Sequence, residues 1–137
     1  MDSCIFCKII AGKIPCHKLL ETPAVLAFLD ISPLAPGHAL VIPKAHHARL
    51  HELSEEDAAE CGRVLNRLAK ALTGAKLANE YNVLQNNGRL AHQEVDHVHF
   101  HLIPKPDTER GLGIRWNSLQ LTQDELVELK TKITERL

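Results

Sequence analysis

Three histidines stand at every second position, His97, His99 and His101, with Val98 and Phe100 between them and Leu102 and Ile103 after them. On a β-strand alternate side chains share a face, so this spacing predicts the three imidazoles on one side and Val98, Phe100 and Leu102 on the other. On a helix the same residues would scatter around the axis and form no common site. A strand over Val95 to Ile103 is therefore expected, apolar on one face and lined on the other by groups that titrate near neutral pH. Two kinds of chemistry use such a row. Imidazoles on a strand can converge on a catalytic zinc ion, or one can act as nucleophile while its neighbours orient and protonate.

The rest of the chain bounds those choices. Its 137 residues suffice for one domain, residues 1–137, with its own core. A content of 45% hydrophobic and 24% charged residues is that of an ordinary globular protein. The net charge of -1 offers no electrostatic footprint for nucleic acid or an anionic membrane, so neither is expected as a partner and any phosphate must be held locally. No apolar run approaches a membrane span, and Met1-Asp2-Ser3-Cys4 shows no charged and apolar signal regions. The expected compartment is the cytoplasm, possibly also the nucleus. There Cys4, Cys7, Cys16 and Cys61 stay reduced, which favours metal binding or burial over disulfides. Cys4-Ile5-Phe6-Cys7 has the spacing of half a zinc site, whereas Cys16 and Cys61 read as buried or incidental.

Periodicity gives an α+β fold, a mainly antiparallel sheet with a main helix and a C-terminal helix. Ile5 to Ile14 has helical spacing and stops at Pro15. Ala24 to Leu29 reads as a buried strand and Ala39 to Ile42 as its hairpin partner, joined through Asp30-Ile31-Ser32-Pro33-Leu34-Ala35-Pro36-Gly37. Ser54 opens the main helix ahead of Glu55, Glu56 and Asp57, and Cys61, Val64, Leu65, Leu68 and Leu72 form its apolar stripe. Tyr81 to Asn86 is a further strand, and Asn87-Gly88 turns the chain towards the histidines. Thr122 and Glu125 form a capping box for a last helix presenting Leu126, Leu129 and Ile133.

His97-Val98-His99-Phe100-His101-Leu102-Ile103 resembles the motif of the histidine triad (HIT) proteins. Separated blocks in the same order resemble their Hint branch, its fungal type above all: Cys4 to Ile10, Ile14-Pro15, Phe28 to Pro33, Pro36 to Lys44, and Asn86-Asn87-Gly88 through Gln93. The resemblance implies a HIT-like fold and a purine nucleoside 5'-monophosphoramidase. That activity cleaves the P–N bond of AMP–amine conjugates through a nucleotidyl-histidine. A nucleotide-binding scaffold with incidental hydrolysis is the alternative. It implies His99 as the nucleophile, with His101 and His38 beside it. His99 then needs an acceptor for its other ring nitrogen, such as a strand carbonyl. Asp30 is placed at the ribose hydroxyls and Asn86 near the phosphate, with Gln93 and Glu94 also at the substrate. Ile5, Phe6, Ile9, Ile14, Phe28 and Ile31 would wall the base, although their periodicity alone favours plain core.

The same resemblance implies a structural zinc held by Cys4, Cys7, His46 and His97, with His47 adjacent to the third ligand. No cofactor is then needed for the chemistry itself. It also implies a homodimer with a sheet continuous across the subunits, for which the helix from Ser54 to Leu77 could supply an interface. Trp116 might then touch the partner's substrate or simply pack. Two positions depart from better-known Hint members, which carry a small hydroxyl residue and a glycine where Glu94 and His92 stand here. A glutamate cannot donate a hydrogen bond when ionised and repels phosphate. Glu94 is thus expected either on the leaving-group side, favouring cationic amines, or in solvent.

Overall fold

Residues 3–137 are described by a computed structural model of the chain. Five strands form one antiparallel sheet in the order β1-β2-β3-β5-β4, with β1 at Lys18–Glu21, β2 at Val25–Leu29, β3 at Ala39–Pro43, β4 at Tyr81–Gln85 and β5 at Phe100–Pro104. Three helices accompany it: α1 (Ile5–Ile10), α2 (Glu55–Gly74) and α3 (Gln123–Thr134). The expected α+β class and the β2–β3 hairpin are both present.

β2 and β3 are apolar throughout because both faces are covered. Val25, Ala27 and Val41 meet Cys61 and Val64 of α2, and Ala39 and Leu102 meet Leu72. On the opposite face Leu26, Phe28, Leu40 and Ile42 pack beneath Phe6 of α1. The stripe of α2 is thus spent on its own sheet, and the side it exposes carries Glu55, Glu56, Arg63, Asn66, Arg67 and Lys70. The α2 start is as expected, with the Ser54 hydroxyl accepting the Asp57 amide at 3.1 Å. Gly62 lies mid-helix with open space where a Cβ would stand. Gly62→Ala should therefore stabilise the protein by about 1 kcal/mol, read from the midpoint of urea unfolding.

Three elements differ from expectation. The first helix ends at Ile10, not Ile14, because Gly12 takes φ +79 just beyond the Ala11 cap and turns the chain away. β1 carried no signal: Lys18–Glu21 is a sheet-edge strand with mostly exposed side chains, so nothing imposes alternation. The histidine strand begins only at Phe100. Ahead of it the Val98 amide bonds to the His47 carbonyl at 2.8 Å in place of a strand ladder. Residues 113–137 are exposed throughout, Trp116 and α3 included, although the Thr122–Glu125 capping box is formed. Among the described residues no helix is long and apolar enough to cross a membrane.

Candidate active site

β-sheet register sets the first catalytic candidate. Phe28, Leu40, His101 and Leu84 are paired in a row across β2, β3, β5 and β4, so His101 emerges on the α1 face. His38 is placed beside it by the turn ahead of β3, where Gly37 adopts φ +95 and a Cβ would press within 3.1 Å of Leu72. Only glycine reaches that conformation without strain.

The tautomers follow from the backbone. The Leu34 amide donates to His38 Nδ1 at 3.0 Å, so a neutral His38 carries its proton on Nε2. That nitrogen stands 3.0 Å from His101 Nδ1, which must accept, and the remaining proton of His101 is on Nε2. Asp30 Oδ2 is 3.6 Å from the same His38 nitrogen, while Asp30 Oδ1 accepts the Ser32 amide at 2.8 Å. His99 is built separately. Its Nδ1 donates to the His97 carbonyl at 2.7 Å, leaving the lone pair on Nε2. The backbone acceptor expected for it is thus present.

Burial keeps these rings uncharged. It lowers the pKa of His99 and His38, and it takes His101 down to about 4, with further repulsion from His99 and His38. The hydrogen bond to His97, and then the Asp30 and Glu94 carboxylates, oppose the shift at His99.

Above the row lies a cavity of about 460 Å³, a size suited to one small ligand. Ile5, Phe6, Ile9, Ile14, Phe28 and Ile31 line its apolar part, and Asp30, His38, Asn86, Glu94, His99 and His101 its polar part. Ile31, 86% exposed, stands at the mouth. Phe6 joins the two parts, meeting Phe28 and His99 edge-on at centroid distances of 5.9 and 5.1 Å. Gln93 is a correction. It is buried outside the lining, its carboxamide accepting the Gly88 amide at 2.7 Å and donating to the carbonyls of Ala48 and Val95 at 2.7 and 2.9 Å. It holds the loop and does not face a ligand. Cys16, Ser32, Leu34 and His92 also line the cavity and were missed. Leu34 acts through its amide, for which a side-chain pattern carries no signal. Cys61 is buried, with its thiol pushed up to about 12, so it is inert.

His97 faces elsewhere, so the three triad imidazoles do not converge on one ion. Its ring is fully buried and its Nε2 donates to the Pro43 carbonyl at 2.8 Å, turning the Nδ1 lone pair towards Cys4, Cys7 and His46. All four donor atoms lie within 4.8 Å of one another, and His46, not His47, is the one brought in. Sulfur–nitrogen separations are 3.2 to 3.6 Å and the two Nδ1 atoms are 3.1 Å apart. A tetrahedral ion with zinc–sulfur and zinc–nitrogen bonds of about 2.3 and 2.05 Å would hold such edges at about 3.5 and 3.3 Å. The backbone carbonyl on the far ring nitrogen is the usual support of a ligating histidine. The donor set fits zinc.

Known proteins share this fold. The chain is 53% identical over 135 residues to adenosine 5'-monophosphoramidase hnt1 of Schizosaccharomyces pombe, covering 98% of each protein. It superposes on the crystal structure of a histidine triad nucleotide-binding protein from Candida albicans with a TM-score of 0.90, at 49% identity and with 97% and 96% of the two chains covered. A HIT family protein from Bacillus anthracis gives a TM-score of 0.95 at 41% identity, with coverage of 99% and 98%. Residues 11–108 match the HIT domain, and the chain belongs to the HIT family.

Proposed function

We propose that this protein is an adenosine 5'-monophosphoramidase that cleaves the P–N bond of AMP–amine conjugates through a nucleotidyl-His99 intermediate. The observation that carries the reading is the tautomer of His99. Its Nδ1 proton is tied to the His97 carbonyl at 2.7 Å, and an uncharged Nε2 is left for the cavity. The Nε2 lone pair attacks phosphorus, and the electrons of the P–N bond depart with the amine, which gains a proton. Water then attacks the phosphorylated imidazole, releasing AMP and restoring His99. His101 Nε2–H, set by the relay from Leu34 through His38, donates to a phosphate oxygen or to the leaving nitrogen. Such assistance is worth about 10²- to 10⁴-fold. The apolar wall takes the purine and Asp30 the ribose hydroxyls, with Asn86 beside the phosphate. Rapid quench with ³²P-labelled AMP–amine tests the reading, because label must appear on His99.

Zinc at Cys4, Cys7, His46 and His97 is proposed as structural. Four protein donors close its coordination, so it supplies no reaction step. It ties α1, and with it the base wall, to the backbone that orients His99. The four free cysteines fit a reducing compartment, the cytoplasm with or without the nucleus. A homodimer formed through the β4 sheet edge is supported by the exposure of Tyr81 and Val83 and by the uncovered arm beyond residue 113.

The relay sets the acid limb. A protonated His101 cannot accept from His38, so turnover should be lost on the acid side below pH 6.5, at the latest as His101 titrates near pH 4. Between pH 6.5 and 4 the unfolded chain binds the proton that the folded one refuses, so stability should decline as pH falls through that window. A kcat profile with its midpoint near 6.5 would contradict this.

A further inference from the structure

Among the described residues the cavity is lined by no lysine or arginine, yet it carries two carboxylates, Asp30 and Glu94. Burial disfavours the charged forms of the His38 and His101 imidazoles. A phosphoramidate monoester is anionic, so this site offers its substrate no side-chain cation and two negative charges. The Asp30 carboxylate is committed, through the Ser32 amide and its approach to His38, at the β2 end beside Phe28 and Ile31. Glu94 is different. It stands on the opposite loop beside Asn86 and His92, exposed, with no hydrogen bond or ion pair among the described residues. The nearby guanidinium of Arg89 is engaged instead with the Gln93 carbonyl and with Asp96 at 3.1 Å.

That placement is built. Buried Gln93 pins the loop by three hydrogen bonds, to Gly88, Ala48 and Val95, and Asn86 Nδ2 donates to the His92 carbonyl at 3.4 Å. With Gln93 fixed inward, its neighbour Glu94 is presented to the cavity that His99 also lines. The purine and ribose occupy the α1 and Asp30 side in the reading above, so the group that leaves phosphorus is the part of the substrate facing this loop.

We infer that Glu94 is a specificity determinant that makes the enzyme prefer leaving amines bearing a second, protonated nitrogen. The inference rests on the phosphoramidase reading. A cation on the departing group offsets the carboxylate's repulsion of the phosphate and gains a charge partner at the cavity mouth, whereas a neutral amine leaves the repulsion in place.

Two AMP phosphoramidates of equal length test it, the 2-aminoethylamide, cationic at its far end, and the neutral propylamide. Wild type, Glu94→Gln and Glu94→Lys are compared by kcat/KM at low and high salt. Each substrate's intrinsic reactivity cancels when the cationic-to-neutral ratio of a variant is divided by that of wild type. The ratio should fall about 5- to 10-fold in Glu94→Gln, fall further in Glu94→Lys, and shrink with salt in wild type only where the carboxylate is present. Turnover of both substrates with the same ratio in all three proteins would overturn the role of Glu94 alone. Failure of wild type to hydrolyse either substrate would overturn the phosphoramidase reading and the inference with it.

Discussion

His99→Ala should reduce turnover of an AMP–amine by at least about 10³-fold while AMP binds within a few-fold of wild type. Removing a covalent nucleophile abolishes the step that no neighbour can replace. In the proposed reading the nucleotide is held by other cavity-lining residues, the apolar wall and Asp30. The His97 carbonyl loses its partner, but the cavity is partly open and water can reach it. Titration calorimetry with AMP and rapid-quench labelling separate the two halves of the prediction. Binding retained with label absent supports the covalent route. Label persisting on another residue, or turnover within tenfold of wild type, would place the nucleophile elsewhere. His101→Ala should slow turnover less, since it removes assistance and leaves the attacking nitrogen in place.

Metal removal should act on stability before it acts on chemistry. Chelation, or Cys7→Ser, breaks a four-donor set whose other members reach α1, the segment after β3 and the approach to β5. We expect one zinc per chain by elemental analysis of wild type and substoichiometric metal in Cys7→Ser. The melting temperature should fall by about 10 °C, several kcal/mol at this chain length. Nucleotide affinity should weaken in parallel, because Phe6 lies between the two cysteines and also walls the cavity. A metal-free protein with unchanged melting would refute the structural role. Immediate loss of turnover at unchanged stability would instead make the ion catalytic.

Much of this site was legible because its residues follow repeating rules. Alternation placed His101 on one face of β5 and Phe100 and Leu102 on the other, and paired glycine and proline positions located the turn that delivers His38. The Cys4–Cys7 spacing and the order of blocks around the triad located the Cys/His cluster and the cavity wall. What escaped was set by backbone and context. Residues 95–99 have a strand-like pattern but no strand neighbour, so they bend and run outside the ladder until β5 begins at Phe100. The Leu34 amide that orders the imidazole relay has no side-chain signature, and Gln93 reads as a polar site residue until its buried hydrogen bonds are seen. β1 was invisible because an exposed edge strand needs no apolar face.

His97 gives its ring to one centre and its carbonyl to another, a division made possible by the pleat of the chain. Deleting or inserting a single residue between 97 and 101 would rotate every following side chain to the other side of the sheet. His101 would turn against the helix that covers Val41, and a neighbouring apolar residue would enter the cavity. Length variation in this family member should therefore be confined to segments such as 113–137, where added or lost residues displace nothing packed within the chain itself.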